Sequence, residues 1–135
     1  MLSRLAYIYM DENSLESEIP TELISLTRLT TLSLNYNRLS GMIPTQLAQM
    51  THLLKLNMVA NKLSSNLPTQ FGNLFRLQEL WLTNNKLSGP IPSSIGLLNE
   101  LAVLALSGNK FNSTIPGQLG DMEKLQLLWL NQNGK

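Results

Sequence analysis

One period governs this sequence. Shifted by 24 residues, the chain falls onto itself with no insertion or deletion. Asparagine recurs at Asn13, Asn37, Asn61, Asn85, Asn109 and Asn133. Proline recurs at Pro20, Pro44, Pro68, Pro92 and Pro116, which leaves only Pro90 outside the register. The columns Ile8, Leu32, Leu56, Leu80, Leu104, Leu128 and Leu5, Leu29, Leu53, Leu77, Leu101, Leu125 are wholly aliphatic. A unit of this length cannot bury its apolar face alone. Copies must stack, so a fixed period of 20–50 residues specifies a solenoid.

Each column has a physical meaning. Apolar residues such as Leu80 and Leu82 alternate with polar or variable ones, which marks a short strand in every unit. Strands of successive coils then lie side by side, about 4.8 Å apart, in a parallel sheet. The asparagines fall where the chain leaves the strand. A side-chain amide offers two donors and an acceptor, enough to serve turn backbone groups of its own coil and the next. The asparagine ladder is therefore structural. Each "IP" dipeptide keeps the chain extended. The segment after it, "TQLAQM" or "SSIGLL", has room for one helical or 3₁₀ turn before the next strand.

The unit "LQELWLTNNKLSGPIPSSIGLLNE" resembles the plant-type, 24-residue leucine-rich repeat, pattern LxxLxLxxNxLSGxIPxxLGxLxx. The resemblance covers the whole chain. It departs locally: the "SG" glycine stands at Gly41 and Gly89 but is Ser17, Ser65 and Ser113 elsewhere, and the "LG" glycine stands only at Gly72, Gly96 and Gly120. It implies an α/β solenoid: a right-handed superhelix with a parallel sheet on the concave face and short 3₁₀ or helical turns on the convex face. It also implies a kinship with receptor-like kinase and receptor-like protein ectodomains and with polygalacturonase inhibitors. Such proteins bind peptides, small hormones or other proteins, mostly outside the cell, and their repeats hold no catalytic residues. Extracellular members carry cysteine pairs in caps, whereas this chain has no cysteine. Residues 1–135 are thus expected to form one domain of about five and a half repeats, a fragment of a longer protein without its caps.

Composition narrows the function further. The net charge of +1 gives no strong pull toward nucleic acid. No apolar run nears the ~20 residues of a membrane span, so no insertion by this segment is expected. There is one histidine, and no nucleophile elbow, zinc, Walker or dinucleotide motif. His52 shares a column with Arg28 and Arg76, a poor setting for a base or a metal ligand. The expectation is no enzyme, no cofactor and no metal. Arg38, Lys62, Lys86 and Lys110 each follow a ladder asparagine and form a line of cations. Acidic residues are absent from Leu23 to Gln78, where Arg28, Arg38, Lys55, Lys62 and Arg76 lie, and that run reads as a soluble face or a weak anion-attracting flank.

The aromatic residues carry the stronger signal. Both tryptophans and all three tyrosines occupy positions that point out of the strands or the turn after them. Folding does not require them there, since the core is aliphatic. Tyrosine and tryptophan anchor interfaces through large area and a polar tip. Trp81 and Trp129 share a column two coils apart with Ala105 between them, which predicts a shallow gap about 9–10 Å wide at strand spacing. The candidate binding residues on this face are Tyr7, Tyr9, Tyr36, Asn57, Trp81, Thr83, Asn84, Ser107, Trp129 and Asn131. The expected partner is a protein or peptide ligand, with a co-receptor as a further partner. The sequon "NST" places a candidate glycan on Asn112, away from the strand face. Two alternatives share the scaffold: an inhibitor of a cell-wall-degrading glycanase, and an intracellular interaction scaffold. An extracellular or cell-surface site follows from the resemblance, while the lack of cysteine leaves a reducing compartment open.

Overall fold

The computed structural model describes residues 4–134. In chain order the strands are β1 (Tyr7–Tyr9), β2 (Thr31–Ser33), β3 (Ser40–Met42), β4 (Lys55–Asn57) and β5 (Lys62–Asn66). They continue with β6 (Glu79–Trp81), β7 (Lys86–Gly89), β8 (Val103–Ala105), β9 (Lys110–Phe111) and β10 (Leu127–Trp129). The first sheet runs β1-β2-β4-β6-β8-β10, all parallel, one strand per coil. Its register is the sequence period: Ile8 opposes Leu32, Leu32 opposes Leu56, and Leu56 opposes Leu80. The middle residue of each strand points inward, and Leu32, Leu56, Leu80 and Leu104 are fully buried. Because each coil covers the next, the core is one continuous apolar column, aliphatic except for Phe71 and Phe111.

Five 3₁₀ turns carry the chain across the opposite side: Thr21–Ser25, Thr45–Gln49, Thr69–Asn73, Ser93–Leu97 and Gly117–Asp121. Each starts directly after a column proline held extended, as at Pro44 with φ −61° and ψ 129°. Each ends with an amide returned to the turn, as in Met50 N–H to Leu47 O at 3.0 Å. Short 3₁₀ pieces suit a coil that must reverse within a few residues. Among the described residues there is no α-helix.

The asparagine ladder forms, but its direction corrects the sequence-based expectation. From Asn37 onward each amide serves its own coil and the preceding one, not the next. Asn61 Oδ1 accepts from Leu39 N at 3.0 Å, and its Nδ2 donates to Leu34 O at 2.9 Å and to Met58 O in its own coil. Asn37, Asn85, Asn109 and Asn133 repeat the pattern. Asn13 bonds only Met10 O and Asp11 O of its own coil and is exposed.

A second sheet was not foreseen. Strands β3-β5-β7-β9 pair in parallel on the flank that follows the ladder. Their Ser, Gly, Asn and Lys content does not favour strands. Stacking imposes the pairing instead, because backbone groups between coils need partners. Each coil places a left-handed residue within or beside this flank, inside β3, β5 and β7 where those strands form. Gly41 and Gly89 sit at φ 74°, and Ser17, Ser65 and Ser113 adopt the same region without glycine's freedom.

Candidate functional site

The strand face is built by the two outer residues of each first-sheet strand and by the turn after it. Tyr7 and Tyr9 stand on β1 opposite Thr31 and Ser33, and both are exposed. Tyr36 projects from the turn after β2 at φ 51° and is also exposed. These three phenols occupy the first two coils. The indoles occupy the fourth and sixth.

Trp81 and Trp129 do not frame an open gap, which corrects the expected 9–10 Å slot. Their ring centroids lie 5.9 Å apart at 85°, an edge-to-face pair. The reason is the small residue between them. Trp81 and Trp129 each oppose Ala105 across neighbouring strands. The indoles lean together above it and bury it completely. Such pairs contribute about 0.5–1.5 kcal/mol beyond their buried area. The pair still offers surface, since Trp129 is 45% exposed.

Polar contacts fix one of the two rings. Trp81 Nε1 donates to Glu79 Oε2 at 2.7 Å, and Lys55 Nζ lies 2.8 Å from the same oxygen. Burial pushes the Glu79 carboxyl up, but the Lys55 ammonium and the Trp81 N–H outweigh it and hold its pKa below 4.5. The polar tip of Trp81 is therefore engaged inside the protein, and its half-buried ring packs against Trp129.

The remaining predicted residues divide. Ser107 Oγ donates to Asn131 Oδ1 at 2.6 Å, so these two hold each other; Ser107 is 5% exposed and leaves only Asn131 at the surface. Thr83 is half-buried, and its Oγ1 is enclosed without a hydrogen-bond partner. Asn84 is exposed in the left-handed region at φ 58°. Asn57 is half-buried beside Lys55 on β4. Asn112 is exposed on the second-sheet flank, off the strand face. His52 is exposed as well.

Two networks on this face escaped the sequence reading. Asp11 Oδ1 accepts from Ser33 Oγ and from Asn35 N, both at 2.8 Å, and Asn35 Oδ1 accepts from Val59 N at 2.9 Å. The other is the Lys55–Glu79 pair. Its signal was present: opposite charges in one column of adjacent coils must meet across the sheet, as the register Lys55↔Glu79 shows.

Comparison with known proteins agrees with this architecture. A leucine rich repeat family model matches residues 27–87. The chain is similar to the structure of a plant peptide hormone receptor, RGFR1, in complex with RGF2, at 33% identity and a TM-score of 0.95 over 97% of this chain and 21% of that one. It is similar to the Arabidopsis receptor kinase HAESA ectodomain in complex with an IDA peptide hormone ligand, at 36% identity and 0.94 over 98% and 23%. It is also similar to the BIR3–SERK2 complex from Arabidopsis thaliana, at 35% identity and 0.85 over 93% and 66%. The chain thus spans about a fifth of the length of the peptide-receptor ectodomains it matches. No curated protein sequence is similar enough to match.

Proposed function

We propose, from the premise that this chain is a leucine-rich-repeat solenoid of the plant type, that it is a non-enzymatic recognition module of receptor type. Its strand face takes a protein or peptide ligand, and the same face or its margin takes a co-receptor. The module forms one domain of a longer protein at the cell surface, with a glycan on Asn112 directed away from the contact face. One observation carries this reading: a pre-ordered, partly exposed indole pair on a face whose folding does not need it. A rigid aromatic anchor costs little ordering entropy when a partner docks. Relatives of the same repeat architecture are peptide hormone receptors, and HAESA is also described with the co-receptor SERK1.

The test is panning of a random-peptide library against the immobilised chain, followed by affinity measurement of the enriched peptides. The double substitution Trp81→Ala, Trp129→Ala should weaken them at least tenfold while the circular dichroism spectrum stays unchanged. Peptides that bind both forms equally would remove the strand face from the proposal. Secretion from a glycosylating host should yield a mass increase that Thr114→Ala abolishes; an unmodified parent chain would count against the glycan.

A further inference from the structure

Three contacts on the strand face run in series. Lys55 on β4 opposes Glu79 on β6, and its Nζ lies 2.8 Å from Glu79 Oε2. The same oxygen accepts from Trp81 Nε1 at 2.7 Å. Trp81 in turn meets the ring of Trp129 edge-to-face at 5.9 Å. The series starts on the third strand of the first sheet and ends on the sixth.

Each link limits the next. Glu79 and Trp81 stand two residues apart on one strand, so their side chains leave the same face of the sheet. On its far side Glu79 opposes Val103, which offers no polar partner. The carboxylate therefore turns toward Lys55, and two donors on one oxygen fix where that oxygen sits. An indole has one N–H and no acceptor, so a single bond sets its tip. The strand neighbours of Trp81 are Asn57 and Ala105. Asn57 Oδ1 takes the Val59 N–H at 3.4 Å, and Ala105 has no side-chain acceptor. Glu79 is left as the acceptor for the ring. Among the described residues Trp129 makes no side-chain hydrogen bond, and its described ring contact is with Trp81. Burial raises the Glu79 pKa, and the bonds from Lys55 and Trp81 more than reverse it. The clamp is thus built around an ionised carboxylate.

We propose that Glu79 and Lys55 are positioning residues for the strand-face ligand: the carboxylate, steered by the ammonium, holds Trp81 in the orientation against which Trp129 docks, and the ligand meets the rings. This inference rests on the reading of the strand face as the contact surface. It adds that affinity is set by a charge pair acting through the indoles. A ring ordered before contact leaves less side-chain freedom for the ligand to remove. Without the clamp, Trp81 regains its other rotamers and Trp129 loses the edge it packs on.

The experiment uses the parent chain and indole-dependent peptides from the library selection. Both tryptophans of the chain belong to the pair, so the tryptophan bands of the near-ultraviolet circular dichroism report on it. Glu79→Ala and Lys55→Met should keep the far-ultraviolet spectrum and shrink those bands. Glu79→Ala should weaken the peptides at least fivefold, and Lys55→Met should weaken them less. Trp81→Phe keeps a ring and removes the N–H. In that background Glu79→Ala should cost less than a further twofold, because residues that act through one another are not additive. Indole-dependent peptides that bind the parent and Glu79→Ala equally would overturn the inference and leave the strand-face reading standing. So would unchanged tryptophan bands in Glu79→Ala. A fivefold loss that persists in the Trp81→Phe background would also overturn it, since Glu79 would then touch the ligand itself. Peptides indifferent to both indoles would remove the strand-face reading and this inference with it.

Discussion

The ladder asparagines show how much one side chain can hold. Asn85 accepts from Leu63 N at 3.0 Å and donates to Met58 O at 2.9 Å and Leu82 O at 3.1 Å. Leu63 and Met58 are fully buried, so water cannot replace the amide. Asn85→Ala orphans the buried Leu63 N–H, while Met58 O and Leu82 O keep the Asn61 and Asn109 amides at 3.3 and 2.9 Å, so it should cost about 1–3 kcal/mol. Asn13→Ala, at an exposed residue that bonds only its own coil, should stay within about 0.5 kcal/mol. Urea denaturation of both variants checks the contrast, and equal losses would contradict it. Glu79 adds a pH dependence of known sign. Its folded pKa is lowered from 4.5, so its contribution is present above that value and is lost as pH falls through the lower folded value. The stability gap between the parent and Glu79→Gln should be full at pH 7 and shrink below about pH 4, the range where carboxylates protonate. A gap that stays constant down to pH 2.5 would show that the Lys55–Glu79–Trp81 contacts do not act through charge.

At the scale of the element, the sequence reveals what repeats and hides what leans. Strand and turn positions were legible because every coil votes for the same column, as Leu32, Leu56, Leu80 and Leu104 do. The second sheet was not, because Ser40–Met42 and Lys86–Gly89 have no strand pattern and owe their pairing to the stack. The Trp81–Trp129 contact was missed for another reason. Column spacing fixes where their strands lie, while ring contact depends on both side chains bending over Ala105. The 3₁₀ turns give a sharper case. A Cβ at Gly96 would stand 2.9 Å from Gln118 O of the next turn, whereas at Gly120 it would meet nothing within 4 Å. The same "LG" glycine thus has two weights. Gly96→Ala should push adjacent turns apart and cost about 1–3 kcal/mol, as overpacking does. Gly120→Ala should be near neutral. Thermal melts decide it, and a neutral Gly96→Ala would mean that the turns give way more easily than this close stacking implies.

Over the whole molecule, stability is a chain of neighbour contacts. Each coil pairs with the coils on either side, and the Trp81–Trp129 ring contact is the described one that reaches two coils, from β6 to β10. In such arrays each unit contributes its own stability plus an interface with each neighbour. The third and fourth coils have two complete interfaces, and Leu53, Leu56, Leu77 and Leu80 are fully buried there. The first coil has one interface among the described residues. Met10 and Leu15 remain exposed, and an apolar hollow of about 240 Å³ opens between them and Ile19, Leu32 and Leu34. Opening free energy should follow this gradient, as it does wherever apolar contact density varies along a fold. Native-state hydrogen exchange should find the amides of Met58 and Leu82, bonded to Trp81 O and Ala105 O at 2.9 and 2.8 Å, among the slowest. The amides of Met10 and Glu12, bonded to Ser33 O and Asn35 O at the same length of 2.9 Å, should exchange at least tenfold faster. Because the bond lengths match, a difference would come from burial and coil position and not from the bonds themselves. Uniform rates across the four amides would instead mean that the described coils open as one cooperative unit, with the first coil held as firmly as the third.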